Sequence, residues 1–158
     1  MDLTLIPFYR LSLEEMNEVL TWRNNIFVRQ QMCDSSIIPI ENHLNFIENL
    51  KSDTKNEYYL VVKNKCKIGV IYLTEINSTN AELGLYKNPN LKKEKVGQQL
   101  MKAIFYIAHQ KNLHDLTLKV LKNNEKALAL YSKFYFKIYK QDNDFLYMNA
   151  MLNNGLKD

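Results

Sequence analysis

The chain opens on alternating apolar positions, Leu3 and Leu5 and then Pro7-Phe8, which predict a short strand. The period then changes. Ser12 with Glu15 three residues on is a capping box, and Leu13, Met16, Val19, Leu20 and Trp22 recur at helical spacing until Asn24-Asn25 breaks the run. The stretch "IFVRQQMCDSSII" is irregular, with room for one short helix. Pro39 suits a first helical turn, and Ile40, Leu44, Ile47 and Leu50 mark a second long helix ending near Lys51. Two β-branched and aromatic runs, "EYYLVVK" and "CKIGVIYLTEI", flank Asn64-Lys65 and read as a hairpin. A turn at "STN" (78–80) leads into the strand "AELGLYK", which Pro89 stops.

Beyond a lysine-rich loop, "VGQQLMKAIFYIAHQKN" carries Leu100, Ile104, Ile107 and Ala108 on one side of a long helix. The compact strand "LTLKVL" follows, then a helix through "NNEKALALYSK", a strand "FKIYK", a turn at Asp142-Asn143-Asp144 and the strand "FLYMNAML". The order is β-α-α-β-β-β-α-β-α-β-β. An antiparallel half gives way to a strand–helix–strand–helix half. That predicts an α+β (mixed α/β) fold: one central mixed, mostly antiparallel sheet of about seven strands flanked by about four helices. No linker, repeat or low-complexity tract divides the chain, so residues 1–158 are expected to form a single domain.

Composition narrows the classes. At 46% hydrophobic, with 10 Tyr and 7 Phe, the chain has material for a real core. "MDLTLIPFYR" lacks the apolar centre of a signal peptide and no stretch reaches spanning length, so a soluble, cytoplasmic protein with no membrane partner is expected. Cys33 and Cys66 form no CxxC pair, and His43, His109 and His114 lack metal-ligand spacing, so no metal is expected. The net charge of +4 is spread over scattered lysines, except at Lys92, Lys93 and Lys95. Aromatic and basic residues do not interleave on any predicted strand face, which argues against nucleic acid.

Gly97 opens a helix directly after a strand, a proline and a loop with three lysines. Free N–H groups, the helix dipole and a missing Cβ make such a start an anion site. Packing is the bland alternative for the same glycine. The segments "LGLYKNP", "NLKKEKVG" and "QQLMKAI" resemble the acetyl-CoA loop of the GCN5-related N-acetyltransferase (GNAT) superfamily, in which an Arg/Gln-x-x-Gly-x-Gly/Ala loop holds the cofactor pyrophosphate. Gly97 matches the last glycine, while Lys93 and Lys95 replace the earlier ones. The pattern "N-x-x-A-x-x-L-Y-x-x-x-x-F" at Asn124, Ala127, Leu130, Tyr131 and Phe136 resembles the family's second cofactor motif, with Tyr135 in place of a glycine before Phe136.

The resemblance implies acetyl-CoA as cosubstrate. Its cofactor residues would be Leu85, Tyr86 and Lys87 on the strand; Lys92, Lys95, Val96, Gly97 and Gln98 around the helix start; and Asn124, Ala127, Leu130 and Lys133 further on. It implies Tyr131 as proton donor to the departing thiolate, direct attack by a neutral amine, and a splay between "ELGLYK" and "TLKVL" that admits the pantetheine. The base is open among Glu82, Glu75, His43 and a water chain. "LTWRNN" and "HLNFIENL" are similar to the branch that acetylates the 4-amino group of UDP-4-amino-4,6-dideoxy-N-acetyl-β-L-altrosamine in pseudaminic acid synthesis for flagellin glycosylation. That branch implies a UDP-aminosugar acceptor. Arg23 or Arg29 would then meet the pyrophosphate, and Met32, Phe46 and Tyr86 would supply apolar surface. A ribosomal-protein-type N-terminal acetyltransferase and a silent CoA-binding module are the alternatives, and a homodimer is left open.

Overall fold

A computed structural model describes residues 2–152 of the chain. Its strands are β1 (Leu3–Pro7), β2 (Glu57–Lys63), β3 (Cys66–Thr74), β4 (Asn80–Lys87), β5 (Asp115–Leu121), β6 (Lys137–Gln141) and β7 (Phe145–Met151). They form one sheet in the order β1-β2-β3-β4-β5-β7-β6, antiparallel throughout except for β4 with β5. The helices are α1 (Leu13–Asn24), α2 (Ile26–Arg29), α3 (Ile40–Leu50), α4 (Val96–Gln110) and α5 (Glu125–Lys133), with a 3-10 turn at Phe8–Arg10. The mixed, mostly antiparallel seven-stranded sheet agrees with the sequence expectation. The ends of the expected 1–158 domain, residue 1 and residues 153–158, lie outside the described residues.

Local chemistry explains most boundaries. Ser12 Oγ accepts the Glu15 N–H at 3.1 Å while the Ser12 N–H donates to Glu15 Oε1 at 2.9 Å, closing the capping box. Asn64 and Lys65 take φ of 49° and 66°, the pair of positive values that a two-residue hairpin turn demands. Among the described residues five helices flank the sheet, one of them, α2, only four residues long. The irregular stretch folds α2 as one turn, started by Asn25 Oδ1 accepting the Phe27 N–H at 2.9 Å. Strand β3 stops at Thr74, short of the expected Ile76, because Glu75 turns into the left-handed region at φ 51°.

The sheet carries a core on each face. Val61, Ile71, Leu73 and Leu83 point to α4 and α5, where Leu100, Ile104, Ala108 and Tyr131 are buried. Leu60, Val70 and Tyr86 point the other way, onto Val19 and Trp22 of α1 and Ile47 and Leu50 of α3. Alternation along each strand divides the residues between these two cores.

One join in the sheet is incomplete. β4 and β5 pair only through Asn80–Asp115, Ala81–Leu116 and Glu82–Thr117, although β4 runs on to Lys87 and β5 to Leu121. Each strand is clamped along its other edge: β4 by β3 from Glu82 to Lys87, β5 by β7 over its whole length. The gap beyond Glu82 and Thr117 is therefore held open, at the place where the family resemblance expects a splay.

The end of α5 explains why a helix passes so abruptly into an aromatic strand. The Phe136 N–H donates to the Tyr131 carbonyl at 3.2 Å and the Tyr135 N–H to the Ser132 carbonyl at 3.1 Å, a Schellman motif. Its hydrophobic contact is Tyr131 with Phe136, ring centroids 6.0 Å apart. The motif needs a left-handed residue at position 135, and Tyr135 adopts φ 69° there with its side chain largely in solvent. A non-glycine residue in that region costs about 1–2 kcal/mol. Tyr135→Gly is therefore expected to raise the melting temperature by about 1–4 °C with catalysis unchanged, as thermal unfolding would show. A fall in Tm would mean that Tyr135 packs more than its exposure indicates.

Candidate active site

A cleft of about 1110 Å³ runs through the gap between β4 and β5, so that both faces of the sheet contribute to its walls. On the α4/α5 side the N-terminus of α4 opens into it. Lys95 caps that helix with φ 66° and no side-chain cap bond, and the first backbone bond into the turn is from the Gln99 N–H to the Lys95 carbonyl at 3.2 Å. The N–H groups of Val96, Gly97 and Gln98 precede that first bond and are left for another acceptor. Lys95 thus holds the left-handed conformation that a glycine would adopt easily, and adds a cation. It lines the cleft together with Gly97, Gln98, Lys87 and Lys133. Lys126, which the sequence motifs do not single out, joins them there.

The missing side chain of Gly97 has a definite direction. A Cβ there would lie 3.0 Å from Leu130 Cδ2 and 3.4 Å from Lys87 Cε. Gly97 therefore serves close packing of α4 on α5 as well as access to the helix N-terminus. Lys92 stays on the exposed loop outside the cleft. Val96 is buried in the α4 core and its side chain is not part of the wall.

Helix α5 supplies the rest of that side. Asn124 is its N-cap: Oδ1 accepts the Ala127 N–H at 3.2 Å, which leaves the amide NH2 for a ligand. Ala127, Leu130 and Tyr131 follow along the cleft. Tyr131 is 8% exposed, and burial, with the Cys33 thiol as a smaller cause, pushes its phenol up to about 12. The hydroxyl keeps its proton at neutral pH and can only donate it.

On the opposite face the wall is aromatic. Tyr58 and Tyr72 stack at 4.6 Å and 12°, and Phe46 meets Tyr58 edge-on at 4.8 Å. Met32, Leu85 and Tyr86 line the same cleft. Arg23 is nine-tenths buried here. Its Nη2 donates to the Asp34 carbonyl at 2.6 Å, while Nη1 has no hydrogen-bond partner. Asn24 holds both the carbonyl and the N–H of Ile38, at 2.9 and 2.8 Å. The "WRN" triplet therefore buries Trp22, aims Arg23 and staples the loop between α2 and α3. Arg29 lies outside the cleft, gripping the Ser35 carbonyl at 3.3 Å.

Three carboxylate or imidazole groups were expected near the chemistry. Glu82, the last β4 residue to pair with β5, lines the cleft half-buried. Burial raises its pKa, the charge of Glu75 raises it further, and Lys119 pulls it down. Glu75 itself is exposed on the turn after β3 and acts on Glu82 only through its charge. His43 lines the cleft as a neutral ring: burial lowers its pKa, and its Nε2 lies 2.8 Å from the Met16 carbonyl, tying α3 to α1. A ring nitrogen facing a carbonyl must carry the hydrogen, so Nε2 donates.

Tyr58, Tyr72, Cys33 and Lys119 also line the cleft, and no motif pointed to them. For Tyr72 a signal was present in Gly84, a glycine in the middle of a strand, which marks a close approach. Among the described residues no group of three or more His, Cys, Asp or Glu is arranged to hold a metal, and no helix is long and apolar enough to cross a membrane.

Residues 16–136 match the model of the acetyltransferase (GNAT) family, and the chain belongs to that family. Acetyltransferase PseH of Campylobacter jejuni subsp. jejuni serotype O:23/36 (strain 81-176) is 40% identical over 143 residues, 89% of this chain and 88% of that protein. The crystal structure of Campylobacter jejuni N-acetyltransferase PseH in complex with acetyl coenzyme A superposes with a TM-score of 0.80 at 34% identity, covering 96% of this chain and 99% of that one. A spermidine N-acetyltransferase from Vibrio cholerae, solved with CoA and spermine, shares the fold at a TM-score of 0.84 and 20% identity, covering 95% of each chain.

Proposed function

We propose that the chain, residues 1–158 as one domain, is an acetyl-CoA-dependent N-acetyltransferase. Its acceptor would be the 4-amino group of a UDP-linked amino-deoxysugar of the pseudaminic acid route that serves flagellin glycosylation, in the cytoplasm. One observation carries the reading: a single cleft threads the β4–β5 gap, with cations and a bare helix N-terminus at one mouth and aromatic rings around a buried, half-partnered arginine at the other. Similarity to PseH along nine-tenths of the chain supports the reading.

In this account the α4 N-terminus, with Lys87, Lys95 and Lys133 beside it, takes the cofactor phosphates. The pantetheine runs past the Asn124 amide and Ala127 into the gap. The thioester carbonyl meets an unpaired backbone N–H in the Leu85–Tyr86 stretch, and Tyr131 hydrogen-bonds the developing thiolate. The amine attacks the carbonyl directly and its proton leaves through Glu82. Arg23 takes an acceptor phosphate or carbonyl oxygen with Nη1, while Met32, Phe46 and Tyr86 cover the apolar part of the sugar and the base. Arg29, outside the cleft with one nitrogen on the Ser35 carbonyl and its Nε without a partner, is given no part in it.

The base assignment fixes a pH dependence. Glu82 must be ionised to accept a proton, and its pKa is raised above the ordinary 4.5. Rate should therefore fall as pH drops through that raised value. Glu75→Gln removes a repelling charge, so the acid limb of kcat/KM should move to lower pH. Removing the Lys119 charge should move it up. Glu82→Gln should abolish the limb and cost about 10²-fold or more. An acid limb that ignores Glu75 and Lys119 would assign the base elsewhere.

The acceptor is tested by comparing the UDP-4-amino sugar, the same sugar without UDP, and a peptide bearing a ribosomal-protein N-terminus. The nucleotide should raise kcat/KM strongly, since remote binding positions the amine. Preference for the peptide would establish the protein-acetyltransferase alternative instead.

A further inference from the structure

Gly84 and Tyr72 face each other across β3 and β4, and they are built for one another. A Cβ on Gly84 would overlap the outer ring carbons and the hydroxyl oxygen of Tyr72, so the phenol lies directly on the β4 backbone at that residue. The ring is fixed from its other side by the stack on Tyr58, which Phe46 and Phe8 buttress in turn. The level matters. Glu82 is the last β4 residue paired with β5, so Gly84 lies just inside the gap, one residue before the Leu85–Tyr86 stretch. Tyr72 thus presents its hydroxyl at the acyl-transfer level, from the face opposite α5. Among the described residues that hydroxyl makes no hydrogen bond, and the residue lines the cleft.

Two phenols therefore converge on the gap, and they come from opposite sides. Tyr131 reaches it from the cofactor side. We infer that the Tyr72 hydroxyl is the acceptor-positioning group: it accepts one N–H of the attacking amine and so points the nitrogen lone pair at the thioester carbonyl. It takes no proton in doing so. Burial first, then the neighbouring phenols of Tyr58, Tyr86 and Tyr131 and the Cys33 thiol, raise the pKa of Tyr72, so it stays a neutral phenol. A neutral phenol can hold an amine N–H but cannot serve as the base. Its ring also covers the gap on the acceptor side and keeps bulk water from the thioester. The inference rests on the acetyltransferase reading above and adds to it the residue that aligns the nucleophile.

Tyr72→Phe tests it, because the ring, its stack on Tyr58 and its seat on Gly84 all remain. Loss of one hydrogen bond that orients the nucleophile should lower kcat/KM for the acceptor about tenfold. The KM for acetyl-CoA, the melting temperature and the acid limb of the pH profile should not move. Tyr72→Ala should also increase acceptor-independent hydrolysis of acetyl-CoA, which Tyr72→Phe should leave low. Unchanged acceptor kcat/KM in Tyr72→Phe would overturn the inference, and so would a shifted acid limb, which would make Tyr72 the titrating group. A wild-type protein that transfers no acetyl group to any amine would instead remove the reading on which the inference stands.

Discussion

Tyr131→Phe is expected to lower kcat by about 10²-fold while leaving the KM for acetyl-CoA nearly unchanged. The phenol is 8% exposed, held at about 12, and placed in the gap by a helix whose end is pinned. The Phe136 N–H on the Tyr131 carbonyl and the Tyr131–Phe136 ring contact do not involve the hydroxyl, so Phe should sit where Tyr does. What disappears is the hydroxyl proposed to donate to the departing sulfur. An ordinary thiol titrates near 8.5. A phenol at about 12 therefore helps chiefly by a strong hydrogen bond to the thiolate as charge develops. An unchanged kcat, with single-turnover measurements showing chemistry to be rate-limiting, would take the role away from Tyr131.

The second large effect belongs to Gly97. Gly97→Val should weaken acetyl-CoA binding by about tenfold or more, and Gly97→Ala by much less. A Cβ meets Leu130 Cδ2 at 3.0 Å, a contact that a small rotation of a leucine relieves. The extra methyls of valine must push Leu130 aside or enter the cleft beside Lys87, and overpacking of this kind costs about 1–3 kcal/mol. Leu130 and Lys87 both line the cleft, so the disturbance falls on the path proposed for the cofactor. Titration calorimetry with acetyl-CoA, alongside thermal unfolding, separates the outcomes. Lower Tm with normal affinity would make Gly97 a packing glycine and nothing more.

What the sequence disclosed follows from how local each cause is. The capping box at Ser12, the hairpin at Asn64-Lys65 and the N-cap at Asn124 are settled within four residues, and each element starts or turns where the pattern predicts. The helix starts at Lys95-Val96 and Asn124-Glu125, which bring both motif segments to the cleft, are local in the same way. The Lys95 and Tyr135 departures turn out to keep the left-handed backbone that glycine would have adopted, at φ 66° and 69°. At these two positions a side chain is carried in a backbone conformation that favours glycine, at a cost in strain.

Other features depend on contacts between distant segments. Arg23 and Arg29 look equivalent in sequence, yet one helix phase buries Arg23 in the cleft while Arg29 turns to the Ser35 carbonyl. Glu75 follows the end of β3 and Glu82 stands near the start of β4, but the left-handed turn at Glu75 carries it out to solvent while Glu82 stays on the strand in the cleft wall. Tyr72 stood among ten tyrosines. Only the β3–β4 register, which sets it over Gly84, marks it as different.

The most direct test of the central claim is to incubate the protein with acetyl-CoA carrying an isotopically labelled acetyl group and with the UDP-linked 4-amino-deoxysugar, then locate the label by mass spectrometry and NMR. One labelled acetyl is expected as an amide on the 4-nitrogen, with a stoichiometric amount of free CoA released and the product lost in Tyr131→Phe at matched times. Label on a hydroxyl or on a peptide amine, or no transfer by a protein that still binds acetyl-CoA, would contradict it.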